Sequence, residues 1–157
     1  MISELYLRTV DKRPAKIVAI SGGFDPIQPG HVVYIEEAKK LGDKLIVILS
    51  RDDQLVAKKG YCFMPYLDRM TILRWGLRYN DMIFENIDKD ITCRESLKYY
   101  KPDIFAKGGD TWNAENLPEW DVCKELGIDV VFGVGGFDKR GSSSDYVKRV
   151  KFGYVDK

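Results

Sequence analysis

With 157 residues, 45% of them hydrophobic, the chain holds enough apolar material for one compact domain that needs neither disulfides nor a structural metal. Twenty-five basic residues against 24 acidic ones leave a formal charge of +1, which excludes a basic track along a nucleic acid polymer and a polybasic membrane-binding surface. Cys62, Cys93 and Cys123 form neither a CxxC pair nor a zinc-finger spacing, and their odd number leaves no complete disulfide set, so reduced thiols are expected.

The first segment, Met1 to Arg13, is interrupted by charges and lacks the apolar run of a signal peptide, and no later run approaches membrane-spanning length. A cytoplasmic protein is expected, a single domain over residues 1–157 with residues 1–13 as an N-terminal extension. Lys16 to Ile20 opens a series of apolar runs, continued by Lys44 to Leu49, Met82 to Phe84, Ile104 to Ala106 and Ile128 to Phe132. Each is too short for a typical helix and reads as a strand. Between the first two, Val32, Ile35, Ala38 and Leu41 recur at helical spacing, with Gly42 as the stop. Met70, Leu73 and Leu77 mark a second helix, and Ser96, Leu97 and Tyr100 a third that Pro102 ends. Pro118 opens a fourth, running to Gly127. Strand and helix alternate, which predicts a three-layer α/β/α fold around a five-stranded, mainly parallel, Rossmann-like sheet.

Open sheets of this kind bind ligands beyond the carboxyl ends of their strands, so the loops there are where chemistry is sought. The loop after the first strand runs from Ser21 through Gly22, Gly23, Phe24, Asp25, Pro26, Ile27, Gln28, Pro29 and Gly30 to His31, where a helix should begin. Paired glycines let backbone amides approach a phosphate, and a helix N-terminus adds N–H groups and partial positive charge. The same loop could equally be a tight strand-to-helix turn without a ligand; it matches neither a Walker loop nor a dinucleotide fingerprint. His31, the one histidine of the chain, could donate to phosphate oxygens or be structural. Lys58 and Lys59 follow the second strand, where lysines are ordinarily solvated surface. After the fourth strand, Lys107, Gly108, Gly109 and Asp110 offer close backbone approach suited to a base and ribose, with Trp112 beyond as pocket wall or core. After the fifth, Arg140 precedes Ser142, Ser143 and Ser144, a run that reads as a helix N-cap able to meet phosphates as well.

Taken together, the GxFD turn of Gly22 to Asp25, the segment Gln28-Pro29-Gly30-His31, the phrase Leu41 to Val47, Arg69 in Asp68-Arg69-Met70, Lys107 to Asp110 and Ser142 to Ser144 resemble the cytidylyltransferase-like nucleotidyltransferases. That family includes glycerol-3-phosphate and choline-phosphate cytidylyltransferases and the adenylyltransferase domain of the bacterial heptose-phosphate enzyme. The resemblance covers roughly residues 16 to 151. Where the family has HxGH, this chain has Gln28 in place of the first histidine.

The resemblance implies a reaction in which a phosphate oxygen of a phosphorylated small molecule attacks the α-phosphorus of a nucleoside triphosphate and releases pyrophosphate. It assigns His31, Gln28 and Lys59 to catalysis. Gly22, Gly23, Phe24, Asp25, Gly30, Lys107, Gly108, Gly109, Asp110, Arg140, Ser142, Ser143 and Ser144 would bind the nucleotide, and Lys58, Arg69 and Trp112 the acceptor. Asp25 would orient the loop or lie beside a phosphate-bound Mg²⁺, and the protein would be a homodimer. CTP is the expected donor, with ATP as the alternative because Lys107 to Asp110 look more like the heptose-phosphate adenylyltransferases. Glutamine can donate a hydrogen bond but cannot become cationic. Slow turnover is therefore expected, or nucleotide binding without turnover.

Overall fold

A computed structural model describes residues 9–10, 13–136 and 142–152. Five parallel strands form the sheet: β3 (Ile17–Gly22), β4 (Lys44–Leu49), β5 (Met82–Glu85), β6 (Ile104–Gly108) and β7 (Asp129–Val134), in the order β5-β4-β3-β6-β7. A two-residue antiparallel pair, β1 (Thr9–Val10) with β2 (Arg13–Pro14), precedes them in what was expected to be a plain extension. The helices are α1 (Pro29–Lys39), α2 (Asp52–Lys59), α3 (Tyr66–Trp75), α4 (Arg94–Tyr100), α5 (Trp120–Leu126) and α6 (Ser143–Phe152). None among the described residues is long and apolar enough to cross a membrane.

The central strands are apolar throughout because both faces of the sheet are covered. On one face Val18, Ile20, Leu45, Val47 and Ala106 pack with Ile35 and Ala38 of α1 and Leu73 of α3. On the other, Ile17, Ala19, Ile46, Ile48 and Phe105 pack with Leu97 of α4 and Val122 and Cys123 of α5. Successive side chains alternate between the two cores, so a strand residue's parity decides which wall of the sheet it serves. Carboxylates seal the strand starts: Asp103 accepts the Ile17 N–H at 2.7 Å and Asp81 the Leu45 N–H at 2.8 Å.

Two local readings change. The stretch Asp52–Lys59 is helical although its residues show no apolar stripe; only Gln54 and Leu55 are buried. Asp52 and Asp53 in its first turn, Lys58 and Lys59 in its last, and Gly60 in the left-handed conformation (φ 83°) suit the helix dipole and its end. Lys58 and Lys59 therefore project from a helix rather than a loop. Gly42 is not the cap of α1, which ends at Lys39 with Lys40 as cap. A Cβ at position 42 would lie 2.7 Å from the Lys16 carbonyl oxygen, so this glycine permits a close chain crossing.

Strand order reverses between β3 and β6, the two strands whose following loops carry Gln28-Pro29-Gly30-His31 and Lys107 to Asp110. The fold thus places the crevice of an open α/β sheet between these loops.

Candidate active site

The loops after β3, β6 and β7 meet around a cleft of about 320 Å³ at this switch point. It brings together Gly22, Phe24, Gln28, Gly30, His31, Lys107, Gly108, Gly109, Trp112, Ser142 and Ser143. A smaller cavity of about 160 Å³ adjoins it, contains Gly23, Asp25, Lys58 and Lys59, and shares Phe24, His31 and Ser143. A larger groove of about 520 Å³ lies far from these loops between α3 and β5, lined by Met70, Thr71, Arg74, Trp75, Met82 and Ile83. Its polar groups are committed to backbone, Arg74 to the Asp81 carbonyl and Thr71 to that of Leu67.

Gln28 is the N-cap of α1. Its Oε1 accepts the Gly30 N–H at 2.6 Å; since an N–H must meet an oxygen, the Nε2 amide is left as a donor without a protein partner among the described residues. The first amide of α1 is thus already engaged, and the glutamine carries the donor function of the helix end onward. Glutamine is an unusual cap, since the shorter Ser, Asp and Asn do the same work. Gly30 makes room for it: a Cβ there would lie 2.9 Å from Gln28 Nε2.

His31 sits at the third position of α1, edge-on to Phe24 with 4.9 Å between ring centroids. Burial, and then the Lys59 charge, push its imidazole down to about 4. Nδ1 accepts the Gln28 N–H at 3.2 Å, which leaves the proton of the neutral ring on Nε2. The folded value lies below the ordinary 6.5, so the folded state resists protonation. His31 therefore contributes fully above pH 6.5 and loses its contribution as pH falls to about 4, by up to about 3 kcal/mol. Urea unfolding of His31→Gln should consequently fall off less steeply over that window than that of the parent protein; identical slopes would contradict the buried neutral imidazole.

Asp25 anchors the loop, although its amide partners come from a distant segment. It is 1% exposed and accepts the Phe63 N–H at 2.8 Å, the Met64 N–H at 2.6 Å and Lys59 Nζ at 3.2 Å. Lys59 Nζ also donates to the Asp25 carbonyl at 3.0 Å and lies over the Tyr61 ring. Phe24, next door, is buried in the left-handed conformation (φ 49°), a strain the surrounding packing must hold. Gly23 serves packing as much as ligand approach, since a Cβ would sit 2.5 Å from Leu55 of α2.

The N-terminus of α6 closes the cleft. Ser142 caps it, its Oγ accepting the Asp145 N–H at 3.3 Å while the Asp145 carboxylate accepts the Ser142 N–H at 2.9 Å. Ser143 Oγ donates to the Pro26 carbonyl at 2.8 Å, tying this helix to the first loop. Ser144 and the exposed Asp110 line neither cavity, and Arg140 lies outside the described residues.

Arg69 is placed differently from the expectation. It is 0% exposed and lines neither cavity. Its guanidinium donates to the carbonyls of Met64 (2.8 Å), Gly23 (2.9 Å) and Ser50 (2.7 Å) and to Asp52 Oδ1 (2.6 Å). With every nitrogen engaged it fastens the loop, α2 and the end of β4 together, away from both cavities.

Sequence reasoning missed Tyr34, three residues after His31 on the inner face of α1. Its hydroxyl donates to the Ala106 carbonyl at 2.5 Å, and burial pushes its phenol far above the usual range. Gly108 and Gly135 are shaped to it: Cβ atoms there would lie 3.1 Å from its ring and 3.0 Å from its Cα. The helical spacing from His31 was the available signal.

Residues 19–149 match the family described as cytidylyltransferase-like. The chain is 41% identical over 158 residues to the bifunctional protein HldE of Pasteurella multocida (strain Pm70), covering 96% of this chain and 32% of that protein. It thus spans about a third or less of the HldE proteins it matches. It is 35% identical over 115 residues to the FAD synthase of Pyrococcus horikoshii, covering 72% of this chain and 75% of that protein. The fold is shared with the lipopolysaccharide core biosynthesis protein of Thermoplasma volcanium GSS1, with a TM-score of 0.61 at 23% identity over 79% of this chain and 99% of that one.

Proposed function

The chain belongs to the cytidylyltransferase-like family, and on that premise we propose that it transfers an adenylyl group from ATP to a phosphorylated small molecule, with release of pyrophosphate. The observation that carries this reading is the convergence of Gln28 and His31 with Ser143 at one cleft that Gly108, Gly109, Gly135 and Gly136 also line. The glycines admit a nucleoside, and the donors face its phosphates.

ATP is preferred to the CTP that the sequence led us to expect. One relative is a FAD synthase, whose product carries an adenylyl half, and the Lys107 to Asp110 motif resembles that of heptose-phosphate adenylyltransferases. The acceptor's phosphate oxygen forms a bond to the α-phosphorus as the bond to pyrophosphate breaks. That oxygen is already anionic, so no general base is needed. Catalysis comes from alignment and from donors placed around the crowded phosphorus. His31 Nε2–H and the Gln28 Nε2 amide supply neutral donors at the α-phosphate, while Lys58, Lys59 and the amides opening α6 offer the leaving pyrophosphate its positive charge.

Among the described residues no three His, Cys, Asp or Glu side chains gather to hold a metal, and both Asp25 oxygens already have donors. These residues do not fit a resident cation. Mg²⁺ is proposed only as the counterion that enters with the nucleotide's phosphates. Calorimetric titration with ATP and with CTP, each with Mg²⁺, tests the choice of base: ATP should bind at least about tenfold tighter, and a preference for CTP would reverse it.

A further inference from the structure

The two strands that flank the switch point separate before they end. Among the described residues β3 and β6 pair through Val18–Ile104 and Ala19–Phe105 and no further, although β3 runs on to Gly22 and β6 to Gly108. Beyond that point β3 keeps its ladder with β4, and β6 follows β7 through an irregularity between Ala106 and Gly108. Where a ladder opens, its backbone groups must find other partners.

The partner at this opening is Tyr34. Its hydroxyl donates to the Ala106 carbonyl at 2.5 Å, and the Ser21 and Gly108 N–H groups face the same oxygen. One hydroxyl thus joins α1 to the ends of both β3 and β6 and spans the gap that their ladder leaves. Burial holds the phenol far above its usual range, so it stays protonated and keeps its donor on Ala106. The cleft wall is fitted to this side chain, since a Cβ at Gly108 would crowd its ring and one at Gly135 its Cα.

The same helix carries the phosphate donors. Gln28 caps α1, His31 stands at its third position, and Tyr34 follows one turn later. A helix registered on β6 at Ala106 fixes how far Gln28 and His31 stand from Gly108 and Gly109 in the cleft. In-line transfer depends on that spacing, because a misplacement of about 1 Å can cost about 10²-fold in rate. Resting on the adenylyl-transfer reading, we propose that Tyr34 is a positioning residue: its hydroxyl spans the gap between β3 and β6 and sets the spacing between the donors on α1 and the glycines after β6. It exchanges no proton during the reaction and acts through Gln28 and His31.

The test is Tyr34→Phe, alone and combined with Gln28→Ser, assayed by pyrophosphate release from ATP with Mg²⁺. The acceptor is the member of a panel of phosphorylated alcohols and sugars that the parent protein turns over fastest. Phenylalanine keeps the ring against Gly108 and removes only the hydroxyl. At saturating substrates kcat should fall by about tenfold or more, with a smaller change in ATP affinity measured by calorimetry. In the Gln28→Ser background the same removal should cost at least about threefold less than in the parent, because a donor already absent cannot be misplaced. Urea unfolding at the assay temperature establishes that each variant is folded, so lost stability alone moves neither quantity. Turnover equal to the parent's, a loss in ATP affinity without one in kcat, or an equal loss in both backgrounds would overturn the assignment of Tyr34. No release from the parent with any phosphorylated acceptor would defeat the adenylyl-transfer reading, and the positioning role with it.

Discussion

Replacing Gln28 with serine should leave the fold intact and cut turnover by about 10²–10³-fold, the usual cost of losing one transition-state donor. Serine is a better N-cap than glutamine and can satisfy the Gly30 N–H that Gln28 Oε1 now accepts at 2.6 Å. It cannot reach on with a second donor. The variant therefore separates the two roles of this side chain, capping and donation. If the residue served only as a cap, Gln28→Ser would be as active as the parent. Gln28→His is expected to move the other way and raise turnover, because an imidazole can become cationic as charge develops on the phosphates. Nucleotide affinity, measured separately, should change far less than turnover in Gln28→Ser, since the amide matters most when the phosphorus is crowded.

The second large effect is on stability. Arg69→Met should cost about 3–5 kcal/mol, the range found when one member of a buried polar network is removed. It would strand the carbonyls of Gly23, Ser50 and Met64 and release Asp52. In a domain of this size that lowers the thermal midpoint by roughly 10 °C. The surviving folded protein should still bind nucleotide. An unchanged midpoint with weakened acceptor binding would restore Arg69 to the site.

Arg69 also shows why part of the site could not be read in advance. The resemblance assigned it to the acceptor. Three of its four partners are backbone carbonyls, which have no sequence signature, and they come from segments as far off as Gly23. The strands were legible because a buried parallel strand is apolar on both faces: Lys44–Leu49 is observed with the expected bounds. The first strand runs on through Ser21 and Gly22, which continue the register with Ile48 and Leu49. Polar and glycine residues at a strand end give no periodic signal, so only the pairing reveals them. The helix Asp52–Lys59 escaped for a related reason: its evidence is charge placement and a C-terminal glycine rather than an apolar stripe.

For the cleft itself, glycines and the histidine marked the loops correctly, but side-chain direction did not follow from order. Lys107 and Gly108 are adjacent in sequence and face opposite walls of the sheet. The Gly108 side meets Tyr34, and the Lys107 side meets the Phe105 and Trp112 rings. Gln28 stood out as a departure from HxGH, and its geometry gives the departure content: one end caps α1 and the other presents an amide donor.

The most direct measurement of the central claim is pyrophosphate release from ATP with Mg²⁺ across a panel of phosphorylated alcohols and sugars, run beside their unphosphorylated counterparts and with Gln28→His in parallel. Release should be slow, depend on a phosphorylated acceptor, exceed that with CTP, and rise in Gln28→His. ATP binding with no release from either protein, for any acceptor, would contradict it and leave a nucleotide-binding module without transfer.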